Sequence, residues 1–151
     1  STLDQLRTIA HDLRPAALGN LGLDAALRAF CRSFAARTQL TISYVGQQLG
    51  DLPEAVEIGL FRFLQEALTN VARHAEAKSV TVQLLGEQKY VNLSVTDDGL
   101  GFDVSTRLGH LQEEDSIGLV GMKERIESVG GHLTILSEPG NGVTLVAWIP
   151  L

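Results

Sequence analysis

The sequence predicts an α+β domain in which helices cover one face of an antiparallel or mixed sheet. Three observations predict it. In mid-chain, Val56, Leu60, Leu64, Leu68 and Val71 recur every three or four residues and mark the apolar face of a long helix. Two segments of period two come next, Val80, Val82 and Leu84, then Val91, Leu93 and Val95, each alternating with other residues. The chain closes with a short helix and two further strands around a glycine-bearing turn. A length of 151 residues leaves room for one domain with a proper core.

In chain order, Leu3, Leu6, Ala10 and Leu13 follow a three-four-three spacing. They read either as the tail of a coiled-coil or bundle helix, or as a helix packed on its own domain. Pro15 ends that run. Leu21-Gly22-Leu23 leads into a second helix over residues 24–37, and residues 40–45 form a strand. Cys31 lies in the second helix as a small core hydrophobe; as the single cysteine it excludes an internal disulfide. Asp51 and Pro53 suit the start of the long helix, as a cap and a first-turn residue. The alternating strands flank a turn at residues 86–89, and the second runs into Asp97-Asp98-Gly99-Leu100-Gly101-Phe102. Residues 103–116 are polar and without clear periodicity; they include Gly109 and the acidic Glu113, Glu114 and Asp115. Gly118-Leu119-Val120-Gly121 is expected to open a short helix that runs through Val129 and is closed by Gly130-Gly131. Strands over 132–137 and 143–149 are joined by a turn at 138–142.

The net charge of −6 argues against a general nucleic-acid or anionic-membrane surface. No signal peptide and no long apolar run is seen, so the chain reads as soluble and cytoplasmic. Glu66, Asn70 and His74 fall at i, i+4 and i+8, a polar line along the long helix, with Arg73 beside it. A carboxylate and an amide bordering a core must be hydrogen-bonded or functional. Asp97 sits before two glycines, which permit a tight turn and close approach of a ligand, and a carboxylate there can accept from an amino group. A glycine-rich helix start near Lys123 and Arg125 leaves N–H groups that suit phosphate. Taken singly, each segment also fits an ordinary amphipathic surface, turn, helix start or hairpin. Neither a Walker loop nor a dinucleotide fingerprint is present.

Together and in this order the segments are far more specific. Glu66-x-x-x-Asn70-x-x-Arg73-His74-Ala75 is followed by Asp97-x-Gly99-x-Gly101-Phe102. Gly118-Leu119-x-Gly121-Met122-x-Glu124-Arg125 and Ser137-x-x-Gly140-x-Gly142-x-Thr144 complete the series. The series resembles the ATP-binding domain of the gyrase, Hsp90, histidine kinase and MutL superfamily. Within it, the chain is most similar to bacterial sensor histidine kinases of the nitrate-sensor and membrane-fluidity-sensor type. The stretch from Leu13-Arg14-Pro15 to Gly22-Leu23 resembles the junction before that domain.

The resemblance implies a two-layer α/β sandwich with a mixed, mostly antiparallel sheet. It implies residues 1–20 as the end of a dimerisation helix and linker, and 21–151 as the catalytic domain. By position, Asn70 would hold Mg²⁺ shared with the phosphates of ATP. Glu66 would serve as general base or polarise the attacking group, and Asp97 would read the adenine amine. Gly99 and Gly101 would shape the base pocket, and a lid would run from Phe102 to residue 116. Gly118 and Gly121, with Leu119 and Val120 between them, would bring N–H groups to the phosphates. Arg73, His74 and Lys123 would add positive charge, and Thr144 would lie near the adenine or the phosphates. His11, followed at once by Leu13-Arg14-Pro15, is expected to be structural, so the acceptor histidine lies on an upstream dimerisation domain. A response regulator is the further partner implied; the full-length protein would be a homodimer and this fragment a monomer. Two alternatives remain at this point: a serine-kinase anti-sigma regulator, and a nucleotide-sensing module without catalysis.

Overall fold

The computed structural model describes residues 22–74, 77–99, 113–137 and 140–151. The helix expected around Leu3 to Leu13, His11, and the division of the chain near residue 20 lie outside them. In chain order the described elements are α1 Gly22–Arg37, β1 Thr41–Gly46, α2 Glu54–His74, β2 Ser79–Glu87, β3 Tyr90–Asp97, α3 Glu113–Ser128, β4 His132–Ser137 and β5 Val143–Pro150. The sheet has the order β1-β2-β3-β5-β4. Only its β1–β2 pair is parallel, joined through α2; the other three pairs are antiparallel. A parallel pair needs such a crossover, whereas β2 and β3 need only a two-residue turn, Gln88-Lys89. That turn is shorter than expected, because Gly86 stays in the ladder opposite Val91.

Period two decides which face is covered. Val80, Val82 and Leu84 of β2, Val91, Leu93 and Val95 of β3, and Leu145, Ala147 and Ile149 of β5 are all buried. They point to the helical layer, where Leu60, Phe63, Leu64 and Leu68 of α2 are fully enclosed. Phe30 meets Phe61 edge-on with ring centroids 5.5 Å apart and ties α1 to α2. The result is the two-layer, mostly antiparallel arrangement that was expected, with three helices on one face. Cys31 is buried, and desolvation pushes its thiol up to about 12, so it behaves as a core hydrophobe.

Local chemistry sets the ends of the elements. Tyr44 of β1 donates to Asp24 Oδ1 at 2.7 Å, and the Arg28 guanidinium lies 5.2 Å from the Tyr44 ring centre, so β1 is fastened to the first turns of α1. Gly46 leaves room for this pair, since a Cβ there would meet the Asp24 carboxylate and the Tyr44 hydroxyl and displace them. Val56 and Glu57 of α2 donate to the Pro53 carbonyl at 3.0 and 3.1 Å, the first backbone bonds of the helix, with Pro53 just before its first residue as expected. At the end of α3, Gly130 has φ +85, its N–H donates to Glu127 O, and Gly131 donates to Ile126 O, both at 2.9 Å. These are the two bonds of a Schellman closure, as the Gly130-Gly131 pair predicts.

One boundary differs. α3 starts at Glu113, five residues before Gly118. The segment Gly118-Leu119-Val120-Gly121 therefore lies inside the helix instead of opening it. Glu113, Glu114 and Asp115 are acidic residues at its first positions, a start signal that outweighs the two glycines. Without apolar periodicity, that first turn was read as part of the polar stretch before it.

Candidate functional site

Topology brings the candidate residues to one end of the molecule. α2 is followed, after residues 75–78, by Ser79 at the start of β2, and Val80 pairs with Asp97 at the end of β3. The C-terminal turn of α2, with Asn70 and Arg73, thus lies at the Asp97 end of the sheet. α3 runs the other way: it closes at Gly130-Gly131, packed on the Trp148 carbonyl and Ile149, and β4 starts opposite Trp148. Its N-terminal half is therefore at the Asp97 end too.

Asp97 is the buried charged residue of the described part, only 6% exposed. It ends β3 in the register of Val91, Leu93 and Val95, so its side chain is on the helix side of the sheet. Oδ1 accepts the Gly99 N–H at 2.8 Å and the Val143 N–H at 3.3 Å. Among the described residues no hydrogen bond reaches Oδ2, which leaves that oxygen to a ligand donor. Burial raises the carboxyl's pKa; the bonds from Gly99 and Val143 lower it, and the Asp98 charge raises it again. Gly142, at φ +74, packs so closely that a Cβ would collide with the Asp97 carbonyl. Gly142, a member of the Ser137-x-x-Gly140-x-Gly142-x-Thr144 series for which no role was expected, and Val143 are therefore parts of this site; the left-handed φ of Gly142 places backbone where no side chain fits.

Asp98 does different work. Its Oδ1 accepts the Lys78 and Ser79 N–H groups at 2.8 and 3.0 Å and pins the start of β2. Those bonds, with Ser79 the larger, hold its carboxyl below the ordinary range. One aspartate is buried for a ligand, and its neighbour is an exposed clasp for the chain.

On α2, Glu66 and Asn70 are half-buried and Arg73 is exposed, on the border between core and solvent that their spacing predicts. His74 is the last residue of the helix. Asn70 offers one amide oxygen, and among the described residues no three His, Cys, Asp or Glu side chains gather as a metal cage. That donor set fits Mg²⁺ completed by phosphate oxygens and water, not a fully protein-bound ion.

On α3, Leu119 and Gly121 are half-buried and Val120 is 50% exposed. Beyond its first four residues a helix uses its N–H groups internally, so Gly118 and Gly121 do not present theirs as a helix start would. Lys123 is exposed and lies 3.9 Å from Glu127, a surface pair of little strength that leaves the ammonium available. Thr144 is not brought to Asp97. It is on the opposite, open face of the sheet, its hydroxyl 3.2 Å from that of Thr96. In this register Val143 takes the place expected of Thr144. Gly101, Phe102, residues 103–112 and Ala75 lie outside the described residues.

The comparisons with known proteins agree with this architecture. The profile described as "Histidine kinase-, DNA gyrase B-, and HSP90-like ATPase" matches residues 55–151. The chain is 38% identical over 152 residues to the signal transduction histidine-protein kinase/phosphatase DegS of Brevibacillus brevis, covering 100% of this chain and 38% of that protein. It is 37% identical over 149 residues to the sensor histidine kinase MctS of Rhizobium johnstonii, covering 98% of this chain and 32% of that protein. The chain therefore spans only about a third of the length of the curated relatives it matches. The histidine kinase domain of the Erythrobacter litoralis EL346 blue-light activated histidine kinase superposes with a TM-score of 0.68 at 21% identity, over 85% of this chain and 61% of that chain.

Proposed function

Because this chain belongs to the histidine kinase-, DNA gyrase B- and HSP90-like ATPase family and is an ATP-binding catalytic domain of the histidine-kinase kind, we propose that it passes the γ-phosphoryl group of Mg-ATP to a histidine on a dimerisation domain upstream of it. The observation that carries the reading is Asp97, a buried carboxylate with one oxygen engaged by Gly99 and Val143 and the other without a hydrogen bond among the described residues. That arrangement suits the exocyclic amine of adenine and rejects a carbonyl oxygen at the same position, because two acceptors repel. Gly99 and Gly142 give the base room, and we assign Gly101 and Phe102 to the same pocket from their place in the Asp97-x-Gly99-x-Gly101-Phe102 series. Asn70 would hold Mg²⁺ through its amide oxygen, and the ion would neutralise charge on the phosphates. Arg73, His74 and Lys123 provide positive charge on the phosphate side, and the α3 segment from Gly118 to Gly121 offers it close approach at glycines that carry no side chain, not free N–H groups.

In the transfer step the imidazole nitrogen of the acceptor forms a bond to the γ-phosphorus while the bond to the ADP oxygen breaks. Glu66 orients the imidazole and accepts its proton. A positioned acid–base group of this kind contributes roughly a hundredfold or more. We place the acceptor on the upstream domain because the relatives are much longer sensor kinases. The phosphoryl group then goes on to a response regulator, the full-length protein acting as a homodimer with this domain in the cytoplasm. Among the described residues no helix is long and apolar enough to cross a membrane.

The test is a pair of measurements. Calorimetry should show Mg-ATP bound more tightly than Mg-GTP; equal affinity removes the role given to Asp97. With labelled ATP and a separately supplied histidine-bearing dimerisation domain, Glu66→Gln should keep ATP affinity and lose most transfer. Loss of ATP binding instead makes Glu66 a structural residue.

A further inference from the structure

Asp97 and Asn70 serve two ends of one nucleotide but stand on different elements. Core packing holds α2 as far as the buried Val71; Ala72 and Arg73 beyond it are exposed. The chain is caught again at Lys78 and Ser79, where β2 begins, and Asp98 is the residue that catches it. The Asp98 N–H donates to the Ser79 carbonyl at 3.2 Å, as a strand residue would. In an antiparallel ladder the return bond would run from backbone to backbone. Here the Ser79 N–H goes to Asp98 Oδ1 at 3.0 Å, and the same oxygen takes the Lys78 N–H at 2.8 Å. The side chain stands in for a backbone carbonyl and reaches one residue further than the ladder does. The main chain after Asp98 is thereby released from β2, and Gly99 turns back to donate to Asp97 Oδ1. The Lys78 carbonyl accepts from the Thr41 N–H at 2.9 Å, which ties the same junction to β1.

We propose that Asp98 is a positioning residue for the metal side of the site: joined covalently to Asp97, it fastens the exit of α2 and so sets the last turn of that helix, with Asn70, at one distance from the base pocket. Mg²⁺ demands near-ideal octahedral geometry, so a metal shared between Asn70 and the phosphates is sensitive to a small shift of that turn. Adenine held by Asp97 is not, because Gly99 and Val143 fix that carboxylate without help from the α2 exit. Asp98 therefore governs how much magnesium adds to ATP affinity, while touching neither metal nor nucleotide. This inference rests on the reading of Asn70 as the metal ligand.

The test is a double-mutant cycle on ATP affinity, measured by calorimetry with magnesium and with a chelator in its place. Asp98→Ala should lower the ratio of the two affinities about three- to tenfold, an ordinary coupling for residues in one network, and leave metal-free affinity unchanged. Asp98→Ser, too short to span both N–H groups, should fall with it, which keeps the test open if Asp98→Ala does not fold. Asp98→Asn keeps an oxygen acceptor and should recover most of the ratio. In an Asn70→Ala background Asp98→Ala should lower the ratio no further. By amide exchange, Lys78 and Ser79 should open faster in Asp98→Ala while Val82 and Leu93 stay protected. An unchanged ratio, an equal loss with and without metal, or the same loss in Asp98→Asn, which would mean action by charge alone, would each overturn the proposal. Asn70→Ala that keeps the full magnesium dependence would remove the metal reading and this inference with it. A magnesium-blind Asn70→Ala beside an indifferent Asp98→Ala would remove this inference alone.

Discussion

Asp97 keeps a charge where the fold would rather have none. Its carboxyl is raised chiefly by burial, so the folded chain holds that proton more tightly than the unfolded chain does. Such a group's contribution to stability is fully present below the unfolded value and is lost as pH rises through the folded one. At neutral pH the ionised side chain therefore costs stability. Asp97→Asn keeps an oxygen to accept from Gly99 and Val143 and removes the charge. The variant should unfold at a higher temperature than wild type at neutral pH, the gap closing as pH falls below the ordinary value of 3.8, while the preference for ATP over GTP disappears. Asn70 makes the complementary case. Asn70→Ala leaves α2 able to form and removes the metal oxygen, so calorimetry should show ATP binding that no longer depends on magnesium. The residue types at both positions were legible in the sequence. The split between Asp97 and Asp98 was not, because only the strand register decides which neighbour faces the helices. The face taken by Thr144 was not legible for the same reason: on a strand, one position is the difference between the helix side and the open face.

Helix α3 carries a conflict between its own stability and its place in the site. Gly121 lies well inside the helix, and a Cβ added there meets nothing within 4 Å. Packing in the free protein does not call for a glycine at that point. Gly121→Ala should therefore stabilise the protein by up to about 1 kcal/mol, seen as a higher denaturant midpoint, yet weaken ATP binding as the methyl group intrudes on the phosphate side. Unchanged affinity would take Gly121 out of the site. The end of α3 was readable from Gly130-Gly131, since a left-handed closure needs glycine. Its start was not, because the first turn carries polar residues and no apolar stripe. Similarly β2 runs three residues past Leu84, the last of its alternating apolar positions, since Gly86 can sit in a ladder as well as in a turn.

One core serves the described elements, and α2 runs through it. Leu64 is completely enclosed between the sheet and the other helices. Leu64→Ala should destabilise by roughly 2–5 kcal/mol, in a single unfolding transition that α1 and the sheet share; separate transitions would show that the layers are independent. The layer plan was legible because the apolar periods of α2, β2 and β3 belong to a buried face whatever surrounds them. The partners of that face were not, because pairing of β1 with β2 and of β3 with β5 is long-range. A consequence follows from the opposite directions of α2 and α3. Each helix carries a dipole, positive at its N-terminus and negative at its C-terminus. At the Asp97 end the chain therefore presents the negative pole of α2, beside Asn70, and the positive pole of α3, beside the start at Glu113. A bare polyanion is welcomed by one and repelled by the other. A cation joined to a polyanion satisfies both, so the backbone itself, before any side chain is counted, favours a nucleotide that arrives with its metal.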